Sequence, residues 1–397
     1  MNDFERIKKS LDFKKNEYRH YYRNNEVMLP DRFGRREYAF VLFGSKGMIR
    51  HIGFEKKSQL LDFLIDRAPS DVYYSSAYYQ RPDAQTMNEK NWMGAELIFD
   101  LDSDHLPNVE DLSYERQLEL VKREFHKLVS DFLLNDFGFD ERYLELYFSG
   151  GRGYHCHVKD PKIFGLDSGE RREIVDYITG RDLKESLIFH EQIKDTKDYG
   201  HRRFASVKSL KMPMPDDPGW RGRISRGVID IVNDILNSDD SLQRLEEYGV
   251  KRSEAEKLLK DLSDERVQRI KAGNLDQSKT IRKFFLNNAL RKTAVSMSAG
   301  ETDEPVTCDV KRLIRLPGSL HGKTGFKVKK LTLDTLSDFD PLVDTIVFSD
   351  EEVKVLLNKP FSISIKNDRF KLEAGVQKVP KYLAVFLIGR KLAFISD

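Results

Sequence analysis

The sequence predicts an α/β (α+β) core built on a mixed sheet, with a helical subdomain inserted into it. A strand-like run, Leu97–Asp102, is followed by a long amphipathic helix and a second strand-like run, Arg142–Phe148. That order indicates a crossover unit of a sheet. Helical patterns then dominate residues 169–297, and strand patterns return near Val306–Arg315 and Phe326–Leu333. Because strands resume after the helical block, we expect an insertion into one sheet-based domain.

Three segments follow from these patterns. A chain of 397 residues is too long for one core of ordinary size. We expect residues 1–165 to form the first part of the core and residues 166–297 to form a mainly helical insertion. Residues 298–397 supply the second part of the core and the C-terminal elements.

The N-terminal segment alternates between helix and strand patterns. Apolar residues at helical spacing predict helices over Asn2–Tyr22 and Ser58–Ala68. The pattern of Glu37–Phe54 predicts two strands joined at Gly44–Gly47, and Asp71–Tyr79 is typical of an aromatic-rich strand.

The strongest helix pattern is Asn108–Phe137, whose apolar residues step by three and four until Gly138. Near the C-terminus, Phe361–Ile365 is strand-like and Tyr382–Leu387 is typical of a helix. We expect the helix Asn108–Phe137 to belong to the crossover unit of the sheet.

Composition restricts the class of protein. Hydrophobic residues make up 39% and charged residues 33%, which fits a globular protein with a heavily charged surface. The sequence has no run of about 18 apolar residues, and its charged N-terminus lacks the apolar core of a signal peptide. Cys156 and Cys308 form no C-x-x-C pair. We therefore expect no membrane segment, no disulfide framework, and a cytoplasmic location.

The net charge of +2 conceals two basic stretches. Val310–Leu333 contains seven basic residues and no acidic one, and His201–Arg226 is also rich in Lys and Arg. Such stretches attract phosphate, but they are also common as solvated faces. For the second stretch both interpretations stay open.

Asp100 and Asp102 end a strand-like run. Because side chains alternate along a strand, both carboxylates face the same side while Leu101 faces the core. Two adjacent carboxylates suit Mg²⁺ or Mn²⁺, whose preferred ligands are hard oxygens. The alternative is a pair of solvated acids, which a D-x-D pattern by itself favours.

The glycine-rich segment Ser149–Gly153 lies between two strand-like runs. Its glycines let the backbone approach an anion with exposed N–H groups. Ser149, Arg152 and His155 are all phosphate-binding types. An ordinary hairpin with a surface Arg and a core His is the alternative. For His157, on the same face as His155, we expect a packed or hydrogen-bonded role.

A third segment, Val306–Gly325, combines a lone acid with a basic turn. Asp309 is a candidate third metal ligand, with a cap or a surface acid as the alternative. Arg315 and His321 flank a turn that can direct both side chains at one anion. Lys323 is a weaker candidate, because a solvated lysine is common.

Together the three segments indicate template-directed nucleotidyl transfer by a two-metal mechanism. In that reaction, carboxylate-bound divalent ions bridge a nucleoside triphosphate and a primer 3′-hydroxyl. Basic and glycine-rich groups hold the triphosphate in line for attack.

The segments also resemble, in order, the motifs of the small catalytic subunit of archaeal and eukaryotic DNA primases, most closely the archaeal form. The matching residues are Gly94–Asp104 (GAELIFDLDSD), Ser149–His155 (SGGRGYH) and Asp309–Gly325 (DVKRLIRLPGSLHGKTG). Weaker matches extend the resemblance to nearly the whole chain: Arg36–Glu37, Met48–Arg50 and Val379–Ala393.

The resemblance implies a primase catalytic core that makes short RNA primers, and also DNA primers, on single-stranded DNA for replication. It implies NTPs and dNTPs as substrates, the primase large subunit as a heterodimer partner, and a place in the nucleoid-associated replication machinery. By position, the metal-binding catalytic acids are Asp100, Asp102 and Asp309. The implied contacts with the incoming triphosphate are Ser149, Arg152, His155, Arg315 and His321, with Arg50 as a further contact.

One feature of this family is missing. Many members carry a Cys/His zinc-binding element after the D-x-D strand. Residues 104–138 contain no Cys, and His105 and His126 are too few for a four-ligand site. We therefore expect no structural zinc.

Two other functions fit part of the pattern. A related polymerase with the primase fold, acting in DNA repair or end joining, is the first. A non-catalytic nucleic-acid-binding subunit that keeps the basic stretches is the second. The intact motifs and the C-terminal extension favour a primase over the former, and the three acids argue against the latter.

Overall fold

The computed structural model describes residues 3–106, 109, 111–199, 202–275, 279–295 and 306–396. The predicted segments also include positions outside the described residues: 1–2, 107–108, 110, 200–201, 276–278, 296–305 and 397. The chain divides into two compact units, one made of Met1–Val175 with Ser296–Asp397 and the other of Asp176–Val295. Among the described residues, no helix has both the length and the apolar character that a membrane crossing requires.

The helices predicted at the N-terminus, after the D-x-D strand and near the C-terminus are all present. Helix α4 begins after Ser113, whose hydroxyl accepts a hydrogen bond from the Arg116 N–H, and it continues into a π-helical segment, Leu128–Asp136. The helices are α1 (Asp3–Asn24), α2 (Lys57–Arg67), α3 (Met87–Lys90), α4 (Tyr114–Lys127), α5 (Ser168–Thr179), α6 (Glu185–Ile188), α7 (Gly219–Leu236), α8 (Ser241–Glu247), α9 (Arg252–Asp261), α10 (Asp264–Lys271), α11 (Lys279–Thr293), α12 (Leu333–Leu336), α13 (Pro341–Asp344) and α14 (Lys381–Gly389).

The strands are short and belong to several small sheets. They are β1 (Tyr38–Val41), β2 (Met48–Ile52), β3 (Asp71–Ser75), β4 (Ala77–Tyr79), β5 (Trp92–Ala95), β6 (Leu97–Asp102), β7 (Leu144–Phe148), β8 (Gly153–Val158), β9 (His190–Tyr199), β10 (Arg202–Lys211), β11 (Asn274–Leu275), β12 (Leu313–Arg315), β13 (Lys329–Leu331), β14 (Glu352–Leu357), β15 (Phe361–Ile365), β16 (Asp368–Leu372), β17 (Gly375–Pro380) and β18 (Ala393–Ile395).

The sheet that positions the site has the strand order β13-β7-β8-β6. The α+β class is confirmed, but the expected mixed sheet is wrong. Every strand pairing in the described part of the chain is antiparallel. Strands β6 and β7 are parallel to each other, as a crossover unit requires. They do not pair, because the turn at Ser149–Gly153 brings β8 back between them.

A second sheet, with the order β12-β3-β1-β2, brings distant segments together. The predicted strand Asp71–Tyr79 is two strands, β3 and β4, which join different sheets. The chain changes partners at Ser76, whose N–H donates to the Arg312 carbonyl and whose carbonyl accepts from the Glu96 N–H. Strand β12 pairs with β3, which places the Val306–Gly325 segment beside the N-terminal part of the chain.

The unit Asp176–Val295 is mainly helical, but it also contains an antiparallel sheet of β9, β10 and β11. Sequence analysis expected a mainly helical segment here and named no strand in it. The sequence of β9, HEQIKDTKDY, is almost entirely polar. It therefore lacks the apolar alternation that predicts a half-buried strand.

Glu96, immediately before β6, is the centre of a buried ionic network. Its side chain and that of Arg36 are both fully buried and form a salt bridge. Glu96 also accepts a hydrogen bond from the Tyr78 hydroxyl at 3.0 Å and lies 3.1 Å from Nδ1 of His157. Burial raises the pKa of Glu96, but the charges of Arg36 and His157 outweigh burial and lower this pKa below its ordinary range. His157 is therefore buried and hydrogen-bonded, as predicted.

We predict that Glu96→Ala lowers the free energy of unfolding by about 3–5 kcal/mol, because Arg36 is left as an uncompensated buried charge. The matched control is Glu119→Ala on α4, whose salt bridge with Arg116 joins side chains that are 63% and 52% exposed. For that control we expect a change below about 1 kcal/mol. Urea denaturation measures both values, and equal effects of the two substitutions would contradict the role given to Glu96.

Candidate active site

Asp100 and Asp102 face the same side of β6. The register pairs Asp100 with His155 and Asp102 with Gly153 on β8. The two acidic side chains are 18% and 33% exposed, whereas Leu101 between them is buried. Strand alternation thus places both acids at an accessible face, as predicted from the sequence.

One histidine and two arginine side chains lie close to these acids. His155 Nε2 lies 3.2 Å from Asp100 Oδ1, and Arg312 Nη2 lies 3.9 Å from Asp100 Oδ2. Arg152 Nε lies 4.0 Å from Asp102 Oδ1. Sequence analysis named His155 and Arg152 but missed Arg312. The basic run Val310–Leu333 was the signal, but it did not show which of its residues reach the acids.

Arg152 forms its closer ion pair with Asp104, and both side chains are partly exposed. Asp102 is oriented by backbone contacts, because its Oδ1 accepts a hydrogen bond from the Asp104 N–H at 3.2 Å. The short turn after β6 therefore links the acidic strand to the cation of the glycine-rich loop. This arrangement keeps positive charge directly beside the carboxylate pair.

The glycine-rich loop, Ser149–Gly153, is closed by its own serine. The Ser149 hydroxyl accepts hydrogen bonds from the N–H groups of Gly151 at 3.2 Å and Gly153 at 3.3 Å. Gly150 has a φ of +80°, and a Cβ on Gly153 would lie 2.4 Å from the Leu101 carbonyl oxygen. A side chain at Gly153 would therefore push β8 away from β6. The contact of Ser149 with a nucleotide stays a prediction.

His321 faces this loop from the third segment. A Cβ built on Gly151 would lie 2.9 Å from His321 Nε2, which shows how closely the imidazole approaches the loop. The Lys323 N–H donates to His321 Nδ1 at 3.2 Å, and the Thr324 hydroxyl donates to the Gly150 carbonyl at 2.5 Å. The second and third motif segments, far apart in the sequence, thus meet in the fold.

Arg315 pairs with Asp71, which sequence analysis missed, and its contact with a nucleotide stays a prediction. Arg315 Nη1 lies 2.5 Å from Asp71 Oδ1, and the Gly322 N–H donates to the same oxygen at 3.0 Å. Burial raises the pKa of Asp71, but the charges of Arg315 and His321 outweigh burial and lower this pKa to about 2. Asp71 begins a strand, and nothing in its local sequence distinguishes it from a surface acid.

Helix α1 fixes the same turn through polar side-chain atoms. Sequence analysis used Tyr18 and Tyr22 only as part of the helical spacing and assigned no contact to them. The contacts are Tyr18 Oη to the His321 carbonyl at 2.8 Å, Tyr21 Oη to the Gly318 carbonyl at 2.8 Å, Lys14 Nζ to the Gly322 carbonyl at 2.7 Å, and the Leu320 N–H to Tyr22 Oη at 3.3 Å. Burial lowers the pKa of Lys14 to about 7, although the charge of Asp71 opposes that change.

Asp309 and Arg50 form hydrogen bonds with groups outside the glycine-rich loop. The Val306–Cys308 turn contacts β6, and Asp309 Oδ1 accepts a hydrogen bond from the Lys311 N–H at 2.8 Å. Arg50 Nε donates to Glu37 Oε1 at 3.1 Å. Across the residues that the structure describes, no three His, Cys, Asp or Glu side chains are arranged to hold a metal ion. Asp100 and Asp102 provide suitable oxygen donors on one face of β6, and the role of Asp309 as a third ligand stays a prediction.

The chain is similar in sequence to known proteins over nearly its whole length. The family model described as DNA primase small subunit matches residues 99–332. The DNA primase small subunit PriS of Methanosarcina barkeri is 43% identical over 96% of this chain and 95% of the relative. That of Methanosarcina acetivorans is also 43% identical, over 97% of both chains, and that of Picrophilus torridus is 38% identical over 96% of this chain and 98% of the relative.

The chain belongs to the DNA primase small subunit family. Membership confirms the resemblance found in the motifs and assigns to the chain the role of a catalytic primase subunit in DNA replication. The family also makes it a nucleotidyltransferase of the polymerase type. Neither the repair polymerase nor the non-catalytic subunit is favoured by these relatives.

We predict that Asp71→Asn lowers the free energy of unfolding by about 2 kcal/mol at pH 7, because Arg315 loses its charged partner. The pKa of Asp71 in the folded state, about 2, is below its ordinary value of 3.8. Its stabilisation is therefore present above about pH 4 and is lost as the pH falls toward 2. The difference between the variant and the wild type should shrink over that range.

Urea denaturation at a series of pH values measures this difference. Asp62→Asn is the control, because Asp62 is exposed on α2. A difference for Asp71→Asn that stays constant or grows as the pH falls would contradict the ionised role of Asp71.

Proposed function

We propose that this chain catalyses template-directed synthesis of short RNA primers, and of DNA primers, on single-stranded DNA. The observation that supports the proposal is the meeting of three motif segments around one glycine-rich loop. That loop lies beside Asp100 and Asp102 and faces His321. Acids and cations at this spacing suit a reaction in which a negatively charged triphosphate is attacked next to carboxylates.

We propose that Asp100, Asp102 and Asp309 hold Mg²⁺ or Mn²⁺, since their carboxylates are hard oxygen donors. Such ions, when bound, lower the pKa of a primer 3′-hydroxyl and stabilise negative charge on pyrophosphate. Both cysteines, Cys156 and Cys308, are buried and form no disulfide. The absence of a structural zinc stays a prediction.

The side chains have separate roles in this proposal. His155 orients the Asp100 carboxylate through the contact at 3.2 Å, and it also faces the incoming nucleotide. Arg152 and His321 bind the triphosphate from two sides of the loop, and Arg315 supports the turn that presents His321. The primer 3′-oxygen forms a bond with the α-phosphorus as the bond to pyrophosphate breaks, and the cationic side chains stabilise the leaving charge. Ser149 and Arg50 are further proposed contacts.

We predict that Asp100→Ala and Asp102→Ala each abolish nucleotide incorporation on a primed template. Each variant removes one of the adjacent carboxylates, while the buried face of β6 stays intact. Incorporation of labelled nucleotides measures activity, and circular dichroism checks the fold. Asp66→Ala, at an exposed position on α2, is the control and should keep full activity. Wild-type activity in either active-site variant would contradict the proposed metal ligands.

We further propose that the chain acts in a heterodimer with the primase large subunit, within the replication machinery at the nucleoid. Starting a chain requires two nucleotides to be held at once, whereas extension requires only one beside a paired primer. We therefore predict that the large subunit increases de novo synthesis on single-stranded DNA more than it increases extension of a primer. Parallel assays with labelled NTPs or dNTPs measure both rates. Equal stimulation of the two would contradict this prediction.

A further inference from the structure

Arg390 follows helix α14 and lies near the glycine-rich loop, although it belongs to none of the three motif segments. Its guanidinium carbon is 4.9 Å from the centre of the Tyr114 ring and 5.4 Å from the centre of the Phe386 ring. Contact with an aromatic face holds a guanidinium in place while its N–H edge stays available to another partner. Among the described residues, no acidic side chain lies within 4.0 Å of Arg390.

Tyr114 connects Arg390 to the loop. The Tyr114 hydroxyl donates to the Gly151 carbonyl at 2.7 Å, and its ring packs edge-on against Phe386 with ring centres 5.6 Å apart. Only one aromatic ring therefore separates the Arg390 guanidinium from the loop backbone. Tyr114 is also the first residue of α4. The position of Arg390 therefore depends on the elements that build the site.

The end of α14 is also packed against the turn that contains His321. A Cβ on Gly389 would lie 2.3 Å from the Lys323 carbonyl oxygen, so the two backbones are in close contact. Lys323 in turn donates its N–H to His321 Nδ1. Arg390 is thus fixed relative to both the glycine-rich loop and the basic turn.

Charge near Arg390 favours an anion. Burial lowers the pKa of Arg390 and the charge of Arg152 lowers it further, whereas Tyr114 and Asp104 raise it. Arg152 and Arg390 therefore lie within each other's electrostatic field. Asp104 already pairs with Arg152. Because this pair is partly exposed, the net stabilisation that it provides is small. An incoming polyanion relieves the repulsion between the two guanidinium groups.

We propose that Arg390 binds the triphosphate of the incoming nucleotide together with Arg152, and that Tyr114 positions it. This inference rests on the proposed function and adds a residue from the C-terminal part of the chain to the nucleotide site. A guanidinium binds two phosphate oxygens at once, which a lysine cannot reproduce. A phosphate of the nucleic-acid strand offers the same chemistry, and the experiment separates the two sources.

The test compares Arg390→Ala and Arg390→Lys with Arg369→Ala, a matched control at an exposed arginine on β16. Equilibrium titration gives the nucleotide Kd and the DNA Kd, and primer extension gives KM and kcat. We expect Arg390→Ala to raise the nucleotide Kd and KM about tenfold, because the variant loses one charge-assisted contact with the triphosphate. The DNA Kd and the properties of Arg369→Ala should stay unchanged. Circular dichroism and the milder Arg390→Lys variant exclude loss of the fold as the cause.

Tyr114→Leu removes the aromatic platform and provides a second test. If Tyr114 acts through Arg390, the effects of Tyr114→Leu and Arg390→Ala on nucleotide Kd are less than additive in the double variant. An unchanged nucleotide Kd in Arg390→Ala overturns the inference, whether or not DNA binding weakens. Absence of incorporation by the wild-type chain would instead overturn the proposed function, while the comparison of nucleotide Kd values would still test Arg390.

Discussion

Asp100 stands opposite His155 because β6 and β8 pair in one antiparallel register, and that pairing positions both acids beside the glycine-rich loop. A slip of one residue would turn both acids into the core and Leu101 toward the substrate side. The register is held at one end by Gly153, whose lack of a side chain admits the Leu101 carbonyl. At the other end, the buried contact between His157 and Glu96 opposes any slip.

One fully buried carboxylate, Glu96, and one largely buried carboxylate, Asp71, stabilise the surroundings of this pairing. Glu96 connects β8 to Arg36, and Asp71 connects β3 to Arg315 and to the backbone of the basic turn. Burying a charge is unfavourable, so each acid is stable only with its partners in place. The same requirement makes the arrangement specific, since a displaced partner would leave an unpaired charge in a medium of low polarity.

The position of the third segment illustrates how distant parts of the chain cooperate. Arg315 and Asp71 are 244 residues apart in the sequence. They meet because β12 adds to the edge of the sheet next to β3. Helix α1 then fastens the turn beyond Arg315 through the hydroxyl groups of its tyrosines. A helix that looks purely structural in the sequence therefore positions His321 beside the glycine-rich loop.

The sequence by itself determined the features that depend on local spacing: the common face of Asp100 and Asp102, the glycine-rich turn with Arg152, the α+β class and the family. These follow from strand alternation and from motifs whose residues are adjacent in the chain. Only the tertiary structure decided the antiparallel order of the sheet, the partners of Arg315, and the approach of Arg312 and Arg390 to the site. Those depend on which strand edges pair and which charges are buried together, and nearby residues in the sequence do not specify contacts between segments hundreds of residues apart.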